Sequence, residues 1–157
     1  MSEQNGEHVL ARRIAGLRTN AFAALVMLLI QLVLGMWVNL FATIPSADGG
    51  TGFLSAFFRA ISNGPVGLSV HAILGALPLV SATAAVVRAV VLHRGVLIGI
   101  ASLALLAIAI AFVTGDRYVA TSNASASWVM ALCTAVPLFC YALILFTVAS
   151  VRDALAA

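Results

Sequence analysis

The stretch VGLSVHAILGALPLVSATAAVV, residues 66–87, decides the fold. It contains no Asp, Glu, Lys or Arg, and its one histidine, His71, stands between Gly67 and Gly75. A helix of about 20 apolar residues crosses the hydrocarbon core of a bilayer, so this segment is expected to span one. An imidazole inside such a span is costly and by default marks a site.

Working outward, three more apolar runs of spanning length occur, at about residues 21–43, 96–114 and 127–148. The whole chain agrees: 157 residues are 63% hydrophobic and 8% charged, with a mean hydropathy of +1.14. Soluble domains carry roughly 25% charged residues, and this chain has too few to cover a water-facing surface. The expected fold is therefore all-α, a single polytopic domain over residues 1–157 built as a four-transmembrane-helix bundle whose first solvent is the lipid bilayer.

The eight basic residues are all Arg. Scattered at the span ends, they form no patch for nucleic acid, and none is expected as a partner. They report orientation instead. Arg12, Arg13, Arg18, Arg88, Arg94 and Arg152 fall on one side, and only Arg59 and Arg117 on the other. The positive-inside rule then puts both termini in the cytoplasm, as expected for a multi-pass protein of a bacterial cytoplasmic membrane. The bacterial origin rests on the lack of Lys, a codon-usage argument. The first run exceeds a signal-peptide core, and Ala42-Thr43-Ile44-Pro45 is a poor cleavage site.

The connections differ. Leu92-His93-Arg94-Gly95 is a tight turn that makes the second and third spans antiparallel neighbours, with His93 solvated. The first outer link opens with Pro45-Ser46-Ala47-Asp48-Gly49-Gly50 and becomes amphipathic at about residues 52–62. There Phe53, Leu54, Phe57, Phe58 and Ile61 recur at helical spacing, opposite Ser55, Arg59 and Ser62. This predicts a short interfacial helix roofing the bundle, or equally a plug between helix ends. Residues 115–126 read as a polar loop, in which Asn123-Ala124-Ser125 carries no weight as a glycosylation signal. Cys133 and Cys140 are about 10 Å apart along one helix, too far for a disulfide, and read as small apolar residues. Pro137 between them is expected to kink the fourth span.

Polar residues inside the spans carry the functional argument. Gln31, Gly35 and Asn39 recur every four residues, as do Gly67, His71 and Gly75, giving two small-and-polar stripes that face the interior. By helix rise His71 lies about 8 Å below the outer boundary, and Asn39 and Met130 reach a similar depth. His71 with Gly67, Gly75, Met130 and Asn39 is thus the candidate cofactor site. His71 is its one candidate metal ligand, because glycines one turn either side leave room for a flat macrocycle. The competing reading is that His71 hydrogen-bonds to Asn39 or Gln31 and fixes helix packing.

The run Gln31-Leu32-Val33-Leu34-Gly35-Met36-Trp37-Val38, followed by Pro45 and a span holding His71, resembles the opening of a four-helix half of the haem A synthase family. The resemblance covers about the first half of the chain and implies His71 as a haem b ligand. It departs from the family in having no histidine on the fourth span, and Ala72 rather than Arg after His71. Met130, or His71 of a second copy in a homodimer, would have to complete the site.

Synthase activity is not expected from a single half. Drug export of the proton-coupled type is set aside because Asp48, Asp116 and Asp153 all fall outside the spans as drawn. Two functions stay open. One is a non-catalytic accessory or scaffold subunit of a larger membrane complex; the other is a haem b or quinone-binding electron-transfer protein that uses His71.

Overall fold

The computed structural model describes residues 2–42 and 54–156, and it is entirely helical there. Five helices follow in order: α1 (Ser2–Phe41), α2 (Ser55–Asn63), α3 (Val66–Val91), α4 (Gly95–Thr121) and α5 (Ala124–Ala156). Four of them, all but the nine-residue α2, are long and apolar enough to cross a membrane. Residues 43–53, with Thr43, Phe53 and the Pro45 to Gly50 link, lie outside the described residues.

The four long helices form a closed square in which α1 packs on α3, α3 on α4, α4 on α5 and α5 back on α1. The backbones of the diagonal pairs stay apart, although Tyr118 of α4 reaches across to Asn39 of α1 with its hydroxyl. α2 lies across α3 and α4 at one end, the roofed end. The turn between α3 and α4 occupies the other end, where His93 is exposed with φ 53°. The expected antiparallel pairing across that turn is what the structure has.

The spans are longer than the apolar runs suggest, for reasons outside hydropathy. α1 begins well before residue 21 because Ile14 and Leu17 are buried against the other helices near the turn. α4 runs on to Thr121, through Asp116 and Arg117, and the predicted loop at residues 115–126 shrinks to Ser122 and Asn123. Two contacts explain this. The rings of Phe57 and Phe112 lie 5.1 Å apart, and Asp116 Oδ1 accepts the Phe57 N–H at 2.8 Å, capping the first turn of α2 with a carboxylate. Asn123 in turn caps α5, its Oδ1 accepting the Ser125 N–H at 2.9 Å. α2 is held to α3 by the Ser69 hydroxyl, which donates to the Ala60 carbonyl at 2.8 Å.

Packing is unequal along the bundle. Towards the turn, seven alanines (Ala21, Ala24, Ala82, Ala85, Ala89, Ala101 and Ala104) are buried to 1% exposure or less, among Leu17, Tyr141, Ile144 and Val148. Small residues let backbones approach closely, the ordinary way helices associate in lipid. Towards the roof the buried set thins to Val38, Ala60 and Leu68. Two prolines mark the change. Pro78 in α3 and Pro137 in α5 are both buried, and each deprives its helix of one N–H donor at that level.

Candidate functional site

The thinning of the core leaves a cavity of about 270 Å³ between the four helices and α2. Its floor is formed by Leu28, Pro78 and Ile108, and its ceiling by Phe57 and Ala60 of the roof helix. The α1 and α3 stripes supply Gln31, Gly35, Asn39, His71 and Gly75 to its wall, and α5 supplies Met130. His71, Asn39 and Met130 thus line one cavity, with His71 at the level of Gly35 and Asn39 one turn nearer the roof. Gly67 does not line the cavity: a side chain there would run into the indole of Trp37.

His71 sits where α1 and α3 come close. Its ring lies over Gly35, where a Cβ would stand 3.0 Å from the imidazole Cε1. That contact is tight enough that a side chain at Gly35 would press on the ring, at a glycine the stripe identified for a different reason. The space left by the glycines flanking His71 is already filled from α1. Trp37 covers Gly67, and the Gln31 amide nitrogen would stand 2.7 Å from a Cβ on Gly75. Small-residue spacing here serves helix–helix packing, and the room inferred for a macrocycle is taken.

The hydrogen bonds also differ from the expected packing bond. Gln31 Nε2 donates to the backbone carbonyl of His71 at 2.7 Å, not to its ring. Asn39 Oδ1 accepts from the Tyr118 hydroxyl at 2.7 Å and from Ser127 at 3.5 Å. Among the described residues, His71 Nδ1 and Gln31 Oε1 are buried with no partner. Leaving such an atom unpaired costs about 1–3 kcal/mol, so each is a point where a ligand or a water can add stability. Met130 packs its sulfur against Gly115, 3.3 Å from where a Cβ would be.

Asp116 corrects the sequence account. Among the described residues it is the one carboxylate in the cavity wall, although its position past the apolar run placed it in a loop. The spacing Phe112, Asp116, Val119, at i, i+4 and i+7, was the available signal that the helix continues. Its bond to α2 makes it a clasp for the roof. No group of three or more His, Cys, Asp and Glu side chains assembles a metal site among the described residues. Cys133 and Cys140 are free thiols.

No protein-family model matches the chain, and comparison with curated proteins and with solved structures returns no match.

Proposed function

We propose that this protein holds one small, mainly apolar molecule in the roofed half of its bundle, with a hydrogen-bonding end of that molecule against His71. A single observation carries this: a cavity of about 270 Å³ walled mainly by apolar side chains, with an imidazole whose Nδ1 has no partner among the described residues. A histidine kept for packing would spend its ring nitrogens on a neighbouring helix. Here Gln31 Nε2 goes to the His71 backbone carbonyl and Asn39 Oδ1 to Tyr118 instead of to the ring. The volume is just below the roughly 300–1,000 Å³ of drug-sized pockets, which suits a single ring with a carbonyl or hydroxyl, such as a quinone head. The protein is then a non-catalytic accessory subunit that carries its ligand unchanged.

The arginine distribution supports a bacterial cytoplasmic membrane with both termini inside. Arg12, Arg13, Arg18, Arg88 and Arg94 belong to the turn end, and Arg59 and Arg117 to the roofed end. α2 then lies at the outer interface, with Phe58 exposed at 64% towards the lipid headgroups.

A second reading, haem b on His71, follows from the resemblance to the haem A synthase half-bundle and is favoured by the same unpaired imidazole. The residues fit it less well. The gaps beside His71 are filled by Trp37 and Gln31, and the other two histidines, His8 and His93, belong to the opposite end. The second axial position would fall to Met130 or to a second copy.

Native mass spectrometry of protein released from its own membrane, paired with an absorption spectrum, separates these readings. We expect a colourless protein with a one-to-one adduct of a small neutral molecule, lost in His71→Leu. A Soret band lost in His71→Ala selects haem, and a protein free of any adduct while annular lipids remain bound contradicts both.

A further inference from the structure

The cavity is not closed equally on all sides. Of the residues that line it, those on α2, α3 and α4 are buried or half-buried, whereas Met36 and Asn39 of α1 and Ala131 of α5 are exposed. These three share one seam, because α1 and α5 are neighbours in the square. The register confirms that they share one level. Asn39 meets Ser127 at 3.5 Å; from there Met36 is three residues deeper on α1 and Ala131 four deeper on the antiparallel α5, or about 4.5 and 6 Å of helix rise. Where lining residues are themselves exposed the cavity wall is thinnest, so the cavity is most nearly open along this seam.

Around that opening the surface is apolar. Val33, Leu40, Trp128 and Leu132 are 68%, 65%, 71% and 61% exposed, a composition suited to lipid chains in a spanning helix pair. Above it, the Asn39 side-chain oxygen accepts from Tyr118 of α4 and Ser127 of α5, tying three helices together at the roofed end. Ala131 contributes the small side chain that leaves the gap.

Resting on the proposed binding role of the cavity, we infer that its ligand passes sideways out of the bilayer through a portal between Met36 and Ala131. The ligand is therefore a molecule dissolved in the membrane, an apolar body or chain ending in a carbonyl or hydroxyl, and not a solute taken from water. The chain lies in the seam, and the polar end reaches His71.

The test uses the full chain in proteoliposomes and a short-chain azidobenzoquinone, with light-induced labelling of the cavity wall followed over time by peptide mapping. Ala131→Trp and Met36→Trp fill the portal, and Leu132→Trp adds the same bulk one position away on the lipid face. Loading slowed at least tenfold in the first two variants and unchanged in the third is the expected result. Loading of both portal variants at the unmodified rate overturns the portal while leaving the binding role intact. Labelling that never saturates in the unmodified protein instead removes the binding role. On the unmodified protein alone, a sulfonated, membrane-impermeant quinone added outside is expected not to compete. Competition at the potency of the lipid-soluble compound also overturns the portal.

Discussion

The two halves of this bundle use the same four helices and the same small residues for opposite ends. Towards the α3–α4 turn, buried alanines bring the helices together around Leu17 and Tyr141. Towards the roof, Gly35, Gly75 and Gly115 are placed where His71, Gln31 and Met130 cross the gap between helices, and a cavity remains. Small residues facing small residues close a seam, while small residues facing long polar ones prop it open. Stability in lipid comes from the first arrangement, since burying apolar groups gains little when the solvent is itself apolar. The second arrangement forgoes that packing and leaves His71 Nδ1 and Gln31 Oε1 unpaired, as sites under functional constraint do.

If this contrast is right, substitutions of the same kind should have unequal effects in the two halves, readable by reversible unfolding in mixed micelles. The largest loss is expected for Leu17→Ala: Leu17 is fully buried in the tight half, and the cavity left behind should cost about 3 kcal/mol. A change under 1 kcal/mol would mean that the tight half is not the source of stability. Next comes a matched pair. Ala101→Leu adds bulk where exposure is 0% and should cost about 1–3 kcal/mol by overpacking. Ala111→Leu, in the cavity wall, should cost less than about 1 kcal/mol and displace the ligand. Equal costs would erase the distinction between the halves.

Tyr141→Phe sharpens the comparison in the other direction. Tyr141 is fully buried and its hydroxyl has no partner among the described residues. Removing that hydroxyl should raise stability by about 1 kcal/mol, and a comparable loss instead would reveal a hydrogen bond that this account lacks. The smallest effect is expected for Asn39→Leu. It removes the bond to Tyr118, worth about 0.6 kcal/mol on the average for such bonds in lipid, and it should speed ligand loading by opening the outer edge of the portal.

Much of the architecture is legible in the sequence because spanning length and charge placement are strong signals. The four spans, the tight turn at His93 and a short helix including Phe57 and Phe58 all follow from apolar runs and helical spacing. The helix ends are not legible, since tertiary contacts set them. Ile14 and Leu17 extend α1 by packing on other helices, and Asp116 keeps α4 helical because it caps α2. At the site, the stripes bring His71, Asn39 and Met130 to one cavity, but they do not say what fills the space beside a glycine. Gly67 reads as room for a ligand and turns out to be the seat of Trp37. Spacing gives the face of a residue, whereas the partner across the seam depends on rotation and register between helices. The same limit hid the portal, which depends on the α1–α5 pairing of Met36 with Ala131.

Ala111→Leu offers the most direct test of the central claim, because it takes up space in the cavity while leaving His71 and the tight half untouched. In proteoliposomes labelled with the azidobenzoquinone, saturable labelling of the cavity wall is predicted for the unmodified protein and at least a tenfold loss for Ala111→Leu, with unfolding stability changed by less than about 1 kcal/mol. Labelling that saturates identically in both proteins would contradict the account, since the ligand would then be held somewhere other than this cavity.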